Sequence, residues 1–219
     1  MSVRTSTTGD EEHTTVVMTP AQPRIVLLFS GKRKSGKDYV TDLLQHRLTA
    51  EVCCILRLSA PLKLQYAQDQ NLDYEELLGC GQYKEEYRAD MIRWGEMKRR
   101  QDSGFFCRLA IRHAARPVWI ISDCRRRSDL QWFRQEFPDL CVCVRVEASE
   151  QTRSQRGWRF TAGVDDAESE CGLDEGVKFD WIIRNDGDDD VLEKQLEELL
   201  SLVTSRLDSH TLNNVKTQQ

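Results

Sequence analysis

The chain has no apolar run long enough to cross a membrane, and it has no recognisable secretion signal. Its longest continuous apolar run, residues 25–29, is far shorter than the roughly 20 residues that a transmembrane helix needs. Residues 1–23 contain Asp10, Glu11 and Glu12 among serines and threonines, without the basic start and apolar centre of a signal peptide. With 39% hydrophobic and 31% charged residues, the composition predicts a soluble globular protein with no membrane partner.

Metal-binding cysteine patterns are also lacking. None of the eight cysteines forms a C-x-x-C pair, and the four histidines do not cluster beside them, so a zinc site is not expected. Cys53-Cys54 and Cys141-x-Cys143 lie in apolar, strand-like runs, which predicts reduced, buried thiols in a cytosolic protein. The cysteines are residues 53, 54, 80, 107, 124, 141, 143 and 171.

The chain also lacks an overall excess of positive charge. The formal net charge is −5, which argues against a nucleic-acid partner. One local cluster of cations is usually a solvated surface, but four clusters in an acidic protein favour a small, highly charged anion as ligand. The four clusters are Lys32, Arg33, Lys34 and Lys37; Arg93, Lys98, Arg99 and Arg100; Arg125, Arg126 and Arg127; and Arg153, Arg156 and Arg159.

What the chain does contain is a regular alternation of strand and helix patterns. The continuously apolar residues 25–29 are typical of a buried parallel strand. The alternation predicts an α/β fold with three layers, an approximately five-stranded parallel sheet covered by helices on both faces, and ligands at the carboxyl ends of the strands. Strands are predicted at 24–30, 52–58, 118–122, 140–146 and 179–184. Helices are predicted up to about 48 and at 60–69, 74–78, 83–100, 105–114, 128–137 (capped by Ser128), 150–156 and 191–207.

The first predicted strand is followed by a G-x-x-x-x-G-K phosphate-binding loop, Gly31 to Lys37. Its glycines allow backbone N–H groups to wrap a phosphate, and Lys37 can reach the β- and γ-phosphates of a nucleotide. The alternative is a solvent-exposed basic turn. Asp38 stands where Ser or Thr usually ligates Mg²⁺, so its carboxylate either holds that ion, directly or through water, or only offsets the basic loop.

The third predicted strand ends in a second candidate cluster, Ser122-Asp123 followed by Arg125 and Arg126. An acidic residue here suits a Mg²⁺ role, as in Walker B segments, although Ser-Asp also forms ordinary turns. Arginine binds phosphate with a fork of donors. We therefore predict that Arg125 and Arg126 clamp the phosphoryl acceptor or the charge that develops during transfer, and we count Lys37, Asp123 and both arginines as catalytic candidates.

Arg153 and Arg156 lie three residues apart, on one face of a predicted helix, and introduce a loop rich in glycine and acidic residues at about 157–178. Such a loop is either a mobile lid that excludes water from the reaction or a surface insertion. The predicted domain spans residues 23–207, between disordered tails at 1–22 and 208–219.

Taken together, these motifs resemble the animal-type phosphomevalonate kinase family, a nucleoside-monophosphate-kinase-like branch of the P-loop NTPase-like proteins. The resemblance covers about residues 24–207, and its most specific parts are GKRKSGKD with Asp38 and the acidic loop segment. The stretches that carry it are LLFSGKRKSGKD (27–38), LRLSAPLK (56–63), DMIRWGE (90–96), GFFCR (104–108), SDCRR (122–126), QWFR (131–134), RGWRF (156–160), VDDAESECGLD (164–174) and FDW (179–181).

The resemblance implies a kinase that uses ATP and Mg²⁺ to convert 5-phosphomevalonate to 5-diphosphomevalonate in isoprenoid and sterol synthesis. The candidates for holding Mg²⁺ remain Asp38 and Asp123, named above from their positions. The resemblance implies ATP contacts from Lys32, Arg33, Lys34, Ser35, Gly36, Lys37, Asp38, Arg156, Asp186 and Gln195. The implied substrate contacts are Asn185, Arg99, Arg125, Arg126 and Arg145, and we add Arg153 because it flanks the lid.

Two other functions remain open from the sequence. The nearer is a nucleoside-monophosphate-kinase-like enzyme that acts on another small phosphorylated substrate, and the more distant is a non-catalytic nucleotide-binding regulator. We expect a monomer in the cytosol. Ser205-Arg206-Leu207 resembles a peroxisomal signal but is internal, so peroxisomal import is not the expectation.

Overall fold

The computed structural model describes residues 22–78 and 82–216, with side chains described as far as residue 209. The predicted strands and helices are found; most of their ends shift by a few residues, and the closing helix is longer than predicted. The strands are β1 (Ile25–Ser30), β2 (Cys53–Leu56), β3 (Val118–Ile121), β4 (Cys141–Glu147) and β5 (Trp181–Arg184). The helices are α1 (Lys37–Leu48), α2 (Ser59–Gln70), α3 (Tyr74–Leu78), α4 (Gln82–Gln101), α5 (Phe105–Ile111), α6 (Arg127–Glu136), α7 (Glu150–Gln155), α8 (Glu168–Cys171) and α9 (Asp189–Lys216).

The five strands form one parallel sheet in the order β2-β3-β1-β4-β5. The central strand β1 is buried along its whole length, because helices cover the sheet on both sides. The predicted α/β class, strand number and parallel direction are therefore confirmed. Since all strands point the same way, the residues that follow them lie at one sheet edge.

Alternate residues of β1 supply two separate cores. Leu27 and its neighbours on one face pack with α1 and α9, through residues such as Leu44 and Leu196. Leu28 on the other face packs with α5 and α6, through residues such as Phe133. This division gives the three layers that the alternation predicted.

A third apolar cluster joins α2, α3, α4 and α5 beside the sheet. Tyr66, Leu77, Met91, Trp94 and Phe106 are buried in it, with Trp94 packed at an angle against both other aromatic rings. The cluster fixes α4 next to the end of β3, and one wall of the candidate site is built on this helix.

Some predicted boundaries need correction. The closing helix α9 continues to Lys216, past the predicted end at 207. Helix α6 begins at Arg127, so Ser128 is not its cap; instead the Asp129 carboxylate accepts the backbone N–H of Arg126. The loop 157–179 contains the short helix α8. The predicted N-terminal tail lies outside the described residues except for position 22, as do positions 217–219.

Candidate active site

The loop between β1 and α1 has the backbone shape of a phosphate-binding loop, and its two glycines are required for different reasons. A Cβ on Gly31 would lie 2.6 Å from Ser35 Oγ and 2.7 Å from the Val146 carbonyl oxygen, so this position needs close packing. Gly36 has φ +86°, and a Cβ there would lie 2.1 Å from Asn185 Nδ2. Other residues would be strained at Gly36 and would push Asn185 away.

The amino end of α1 is open towards this loop. Gly36 caps the helix without any side-chain hydrogen bond, so the first N–H groups of α1 are not occupied by a side-chain cap and can face an anion. The Lys37 side chain is only 12% exposed, and its Nζ lies 3.6 Å from Asp38 Oδ1. The Asp38 side chain is 66% exposed, so it can reorient towards a ligand or a cation.

Two arginines that were predicted to contact ligands hold this loop from outside. Arg153 Nε donates to the Arg33 carbonyl oxygen at 2.8 Å, and its guanidinium stacks on Trp158. Arg156 Nη1 donates to the Ser35 carbonyl oxygen at 3.2 Å and lies within 3.4 Å of that of Lys34. Arg153 was predicted to contact the substrate and Arg156 to contact ATP, and both bind carbonyl groups of the phosphate loop.

Asn185 likewise lies on the phosphate-loop side, although the resemblance implied a contact with the phosphoryl acceptor. Its side chain donates from Nδ2 to the Ser35 carbonyl oxygen at 2.9 Å and accepts from Arg156 at 3.3 Å. It follows β5 directly, which explains why it reaches the loop.

Asp186 and Gln195 both bind neighbouring backbone. Asp186 accepts the Ser149 N–H at 2.7 Å, and hydrogen bonds from Ser149 hold the pKa of this carboxyl below its usual value. Gln195 accepts the Arg184 N–H at 2.8 Å and donates to the carbonyl of the same residue at 3.1 Å. Asp186 still lines a cavity beside Lys32, whereas Gln195 mainly satisfies the free edge of β5.

A second cavity opens at the end of β3, between α2, α4 and the loop after residue 157. Its walls combine apolar side chains such as Leu62 and Met91 with an unusual number of cations. Arg99, Arg125 and Arg126 were predicted to contact substrate, and all three line it. The six cations of the cavity are Lys63, Lys84, Arg88, Arg99, Arg125 and Arg126.

Lys63, Lys84 and Arg88 are the members of this set that sequence reasoning missed. Burial lowers the pKa of Lys63, and the charges of Lys84, Arg125 and Arg88 lower it further. Such crowding of like charges is costly unless an anion arrives to balance it. The sequence did contain a signal for two of them. Lys84 and Arg88 are four residues apart and therefore share one face of α4, the helix that also contains the DMIRWGE segment.

Arg99 and Arg126 are the most buried cations of the cavity. Arg99 is stacked with its guanidinium carbon 4.5 Å from the Phe106 ring centre, and burial lowers its pKa. Arg126 donates to Glu96 of α4. Within the described ranges, Arg126 Nε and Arg99 Nε and Nη1 are buried without a hydrogen-bond partner, as expected of donors that await a ligand.

Asp123, predicted to hold Mg²⁺, also has a structural task. Its Oδ1 accepts the Leu58 N–H at 2.6 Å and its Oδ2 accepts the Ser59 N–H at 3.0 Å. The carboxylate therefore anchors the start of α2 while it lines the cavity. No group of three or more potential metal-ligating His, Cys, Asp or Glu side chains occurs in the part of the chain that the structure describes.

Acidic side chains of the predicted lid are paired with cations of both cavities. Asp165 binds Arg33 at 2.9 Å, and Glu170 binds Arg125. Asp174 joins two cations at once, with Lys32 Nζ at 2.8 Å and Arg145 Nη2 at 2.5 Å. Arg145, predicted to contact substrate, thus lies with Lys32 on the phosphate-loop side.

No helix in residues 22–78 and 82–216 is long and apolar enough to span a bilayer. Every cysteine of these ranges is a free thiol.

Comparison with known proteins identifies a family to which this chain is similar. The family model described as phosphomevalonate kinase matches residues 29–139, a range that includes the phosphate-binding loop and the Arg125-Arg126 pair. A phosphomevalonate kinase of Drosophila melanogaster is 43% identical over 188 residues, covering 83% of this chain and 96% of that protein. Among solved structures, the APS kinase of Mycobacterium tuberculosis in complex with AMPPNP and APS has a TM-score of 0.46 at 16% identity, covering 84% of this chain and 99% of its own. A shikimate kinase from Bacteroides thetaiotaomicron has a TM-score of 0.43 at 12% identity, covering 82% and 98%.

Proposed function

This chain belongs to the phosphomevalonate kinase family, and from that premise we propose which of its side chains carry the phosphoryl transfer. The reaction moves the γ-phosphoryl group of ATP to 5-phosphomevalonate and yields 5-diphosphomevalonate and ADP, in the mevalonate pathway to isoprenoids and sterols. Donor and acceptor are both anions that repel each other. The protein therefore has to offset charge and align the two substrates, and it needs little covalent chemistry.

The observation that carries the proposal is a pair of cationic sites at one edge of the sheet. The phosphate-binding loop follows β1, and the cavity with six cations follows β3, the strand that pairs with β1. A nucleotide in the loop and a phosphorylated acid in the cavity would meet at this edge. The apolar part of the cavity wall suits the carbon skeleton of the acid.

On the nucleotide side, we assign Lys37 to the γ-phosphoryl group that is transferred. Its side chain is mostly buried at the open end of α1, where a low dielectric strengthens its attraction for the β- and γ-phosphates. Arg153, Arg156 and Asn185 bind loop carbonyls. We assign them the task of holding the loop in shape around ATP, in addition to any contact with nucleotide.

The same edge offers oxygen donors that fit Mg²⁺. Asp38 is exposed, and the buried hydroxyls of Ser30 and Ser122 have no hydrogen-bond partner within the described residues. Hard oxygen donors of this kind suit a partly hydrated Mg²⁺. Because the Asp123 carboxylate is already bound to two N–H groups, we assign it a contact through water. The ion would offset charge on the β- and γ-phosphates.

On the acceptor side, Arg125, Arg126 and Arg99 are the principal phosphate ligands, supported by Lys63, Lys84 and Arg88. The acceptor is a phosphate oxygen that is already ionised at neutral pH, so no general base is required. The arginine donors instead reduce the repulsion between the incoming oxygen and the γ-phosphate.

We assign the lid carboxylates the task of pairing with the phosphate-binding cations until the substrates replace them. In the structure these carboxylates bind Arg33, Arg125, Lys32 and Arg145, which are the cations we assign to phosphates. When the substrates bind, their phosphate groups replace Asp165, Glu170 and Asp174 as partners. The lid then changes position without leaving these cations unpaired.

An assay of ADP release tests the function directly. We expect ADP formation with 5-phosphomevalonate and none above background with mevalonate, AMP, CMP, UMP or GMP. The reason is that mevalonate lacks the phosphate that the cavity cations bind, and nucleosides do not match the skeleton it accommodates. Turnover with a nucleoside monophosphate and none with phosphomevalonate would contradict the proposal.

Substitution of Asp38 tests its assignment to Mg²⁺. Asn keeps the size and one oxygen of Asp but removes the charge, so Asp38→Asn should raise the Mg²⁺ concentration needed for the half-maximal rate. A Mg²⁺ titration at saturating ATP gives the answer. Asp42→Asn, further along α1, is the matched control and should leave the titration unchanged.

The other role for Asp38, an offset of the basic loop, predicts a different result. Loss of its negative charge would then strengthen ATP binding and leave the Mg²⁺ dependence as it was. That combination would remove Asp38 from the metal site.

We further propose that the enzyme acts as a monomer in the cytosol. All assigned side chains come from one chain, and the free thiols of the described cysteines suit a reducing compartment. Sedimentation and imaging of the tagged full-length chain address the two points.

A further inference from the structure

The cavity at the end of β3 is called the acceptor cavity below. Its three principal arginines, Arg99, Arg125 and Arg126, converge on one buried carboxylate, Asp129. Its side chain lies in the first turn of α6 and its residue is only 1% exposed. Oδ2 accepts the backbone N–H of Arg125 at 3.2 Å and that of Arg126 at 3.1 Å. One oxygen therefore fixes the main chain of both arginines at the point where they leave β3.

The second oxygen of Asp129 faces the third arginine. Oδ1 lies 3.8 Å from Arg99 Nε, too far for a hydrogen bond but close enough for strong charge attraction in a buried setting. Across the described residues, neither atom has a hydrogen-bond partner. Arg99 comes from α4 and the other two arginines follow β3, so Asp129 joins the two walls of the cavity.

A helix cap alone does not explain a carboxylate at this place. Burial raises the pKa of Asp129, and Arg99 together with the two backbone N–H groups acts in the opposite direction. Burying a charge is costly unless it is paired, and the attraction of the α6 dipole for a carboxylate in its first turn is too weak to meet that cost alone. Arg99 Nε, 3.8 Å from Oδ1, belongs to the cation that pairs with this buried charge.

We propose that Asp129, almost wholly buried in the wall of this cavity, is a positioning residue for the phosphoryl acceptor: it sets the directions of Arg125, Arg126 and Arg99. The inference rests on the acceptor role proposed above for these arginines. Loss of the carboxylate would let the Arg125-Arg126 backbone and the Arg99 side chain move, and small displacements of phosphate ligands weaken both binding and alignment.

Two substitutions separate the hydrogen bonds from the charge. Asp129→Asn keeps an oxygen for the N–H groups and removes the counter-charge of Arg99, so we expect the KM for phosphomevalonate to rise about fivefold with little change in kcat. Asp129→Ala removes both, so we expect kcat/KM for phosphomevalonate to fall at least about thirtyfold. In both variants the KM for ATP stays within about twofold of wild type, because the nucleotide loop is untouched.

Asp180→Asn is the matched control. Asp180 also accepts a backbone N–H, that of Cys143 at 2.8 Å, but it lies outside the acceptor cavity, so neither KM should change. Steady-state kinetics with each substrate varied in turn, and thermal unfolding of each variant, supply the data. A purely structural role would lower the active fraction and move neither KM.

The comparison with Arg126→Ala shows which idea fails. If Arg126→Ala leaves phosphomevalonate kinetics intact, the proposed arginine site is wrong and the inference falls with it. If Arg126→Ala is impaired while a folded Asp129→Ala variant is not, only the role of Asp129 is overturned. That role is also overturned if Asp129→Ala loses as much kcat/KM for ATP as for phosphomevalonate. Should Asp129→Ala not fold, Asp129→Asn decides: a higher KM for phosphomevalonate alone supports the inference, and unchanged KM values overturn it.

Discussion

Lys37→Met should lower kcat by at least about a hundredfold, because one positioned charge at a developing anion typically contributes on the order of 3 kcal/mol to the transition state. Methionine keeps an unbranched apolar stem in a space where the lysine side chain is only 12% exposed. The fold should therefore lose little stability. The KM for ATP should change less than kcat, since the loop N–H groups still bind the phosphates.

Single-turnover kinetics with saturating ATP and phosphomevalonate measure the effect on the chemical step. Lys194→Met, at an exposed position on α9, is the control for the substitution itself and should match wild type. Thermal unfolding confirms that the Lys37 variant is folded. A folded Lys37→Met enzyme with near-normal turnover would show that another group neutralises the transferred phosphoryl.

The layout of the fold was predictable because it follows from patterns of local sequence. Continuously apolar runs such as 25–29 have to be covered on both sides, and strands of that kind alternating with helices form a parallel sheet. Boundaries were less predictable. Helix α6 starts at Arg127 because the Asp129 carboxylate binds the N–H groups before it, and this contact depends on a buried charge that no periodicity reveals.

The phosphate-binding loop was predictable for the same reason, since Gly31, Gly36 and Lys37 act within one short segment. The acceptor cavity was only half predictable. Arg125 and Arg126 follow a strand, which marks them, but Lys63 and Lys84 reach the cavity from α2 and α4. Their approach depends on how the third apolar cluster packs these helices beside the sheet.

The tasks of individual polar residues were the least predictable. Asn185 and Arg153 were predicted to contact the substrate, yet both bind carbonyl groups of the phosphate loop. A sequence shows that an amide or guanidinium group follows a strand or a helix. Which partner it takes depends on how segments that are far apart in the chain pack together.

The paired arginines after β3 carry the other large expected effect. Arg126→Ala should lower kcat/KM for phosphomevalonate at least about a hundredfold and leave ATP affinity within about threefold of wild type. Arg126 is buried in the acceptor cavity with Nε unpartnered among the described residues, and it is fixed by Glu96. Arg125→Ala should act in the same direction, through a cation that is more exposed and bound to Glu170 of the lid.

Kinetics with phosphomevalonate varied, and calorimetry of ATP binding without acceptor, separate the two substrates for each variant. Arg108→Ala is the control, because that arginine is half-exposed on α5 and pairs with Asp102.

The effects of replacing Arg125 and Arg126 should also differ from each other. Since the proposed mechanism exchanges Glu170 for phosphate at Arg125, loss of Arg125 removes an attraction from both the lid-bound and the phosphate-bound state, and part of the cost cancels. Arg126 keeps Glu96 in both states, so its contact with phosphate is a net gain and its loss should be the larger. Equal loss of ATP affinity in calorimetry would instead place these arginines on the nucleotide, and the division between the two cationic sites would have to be abandoned.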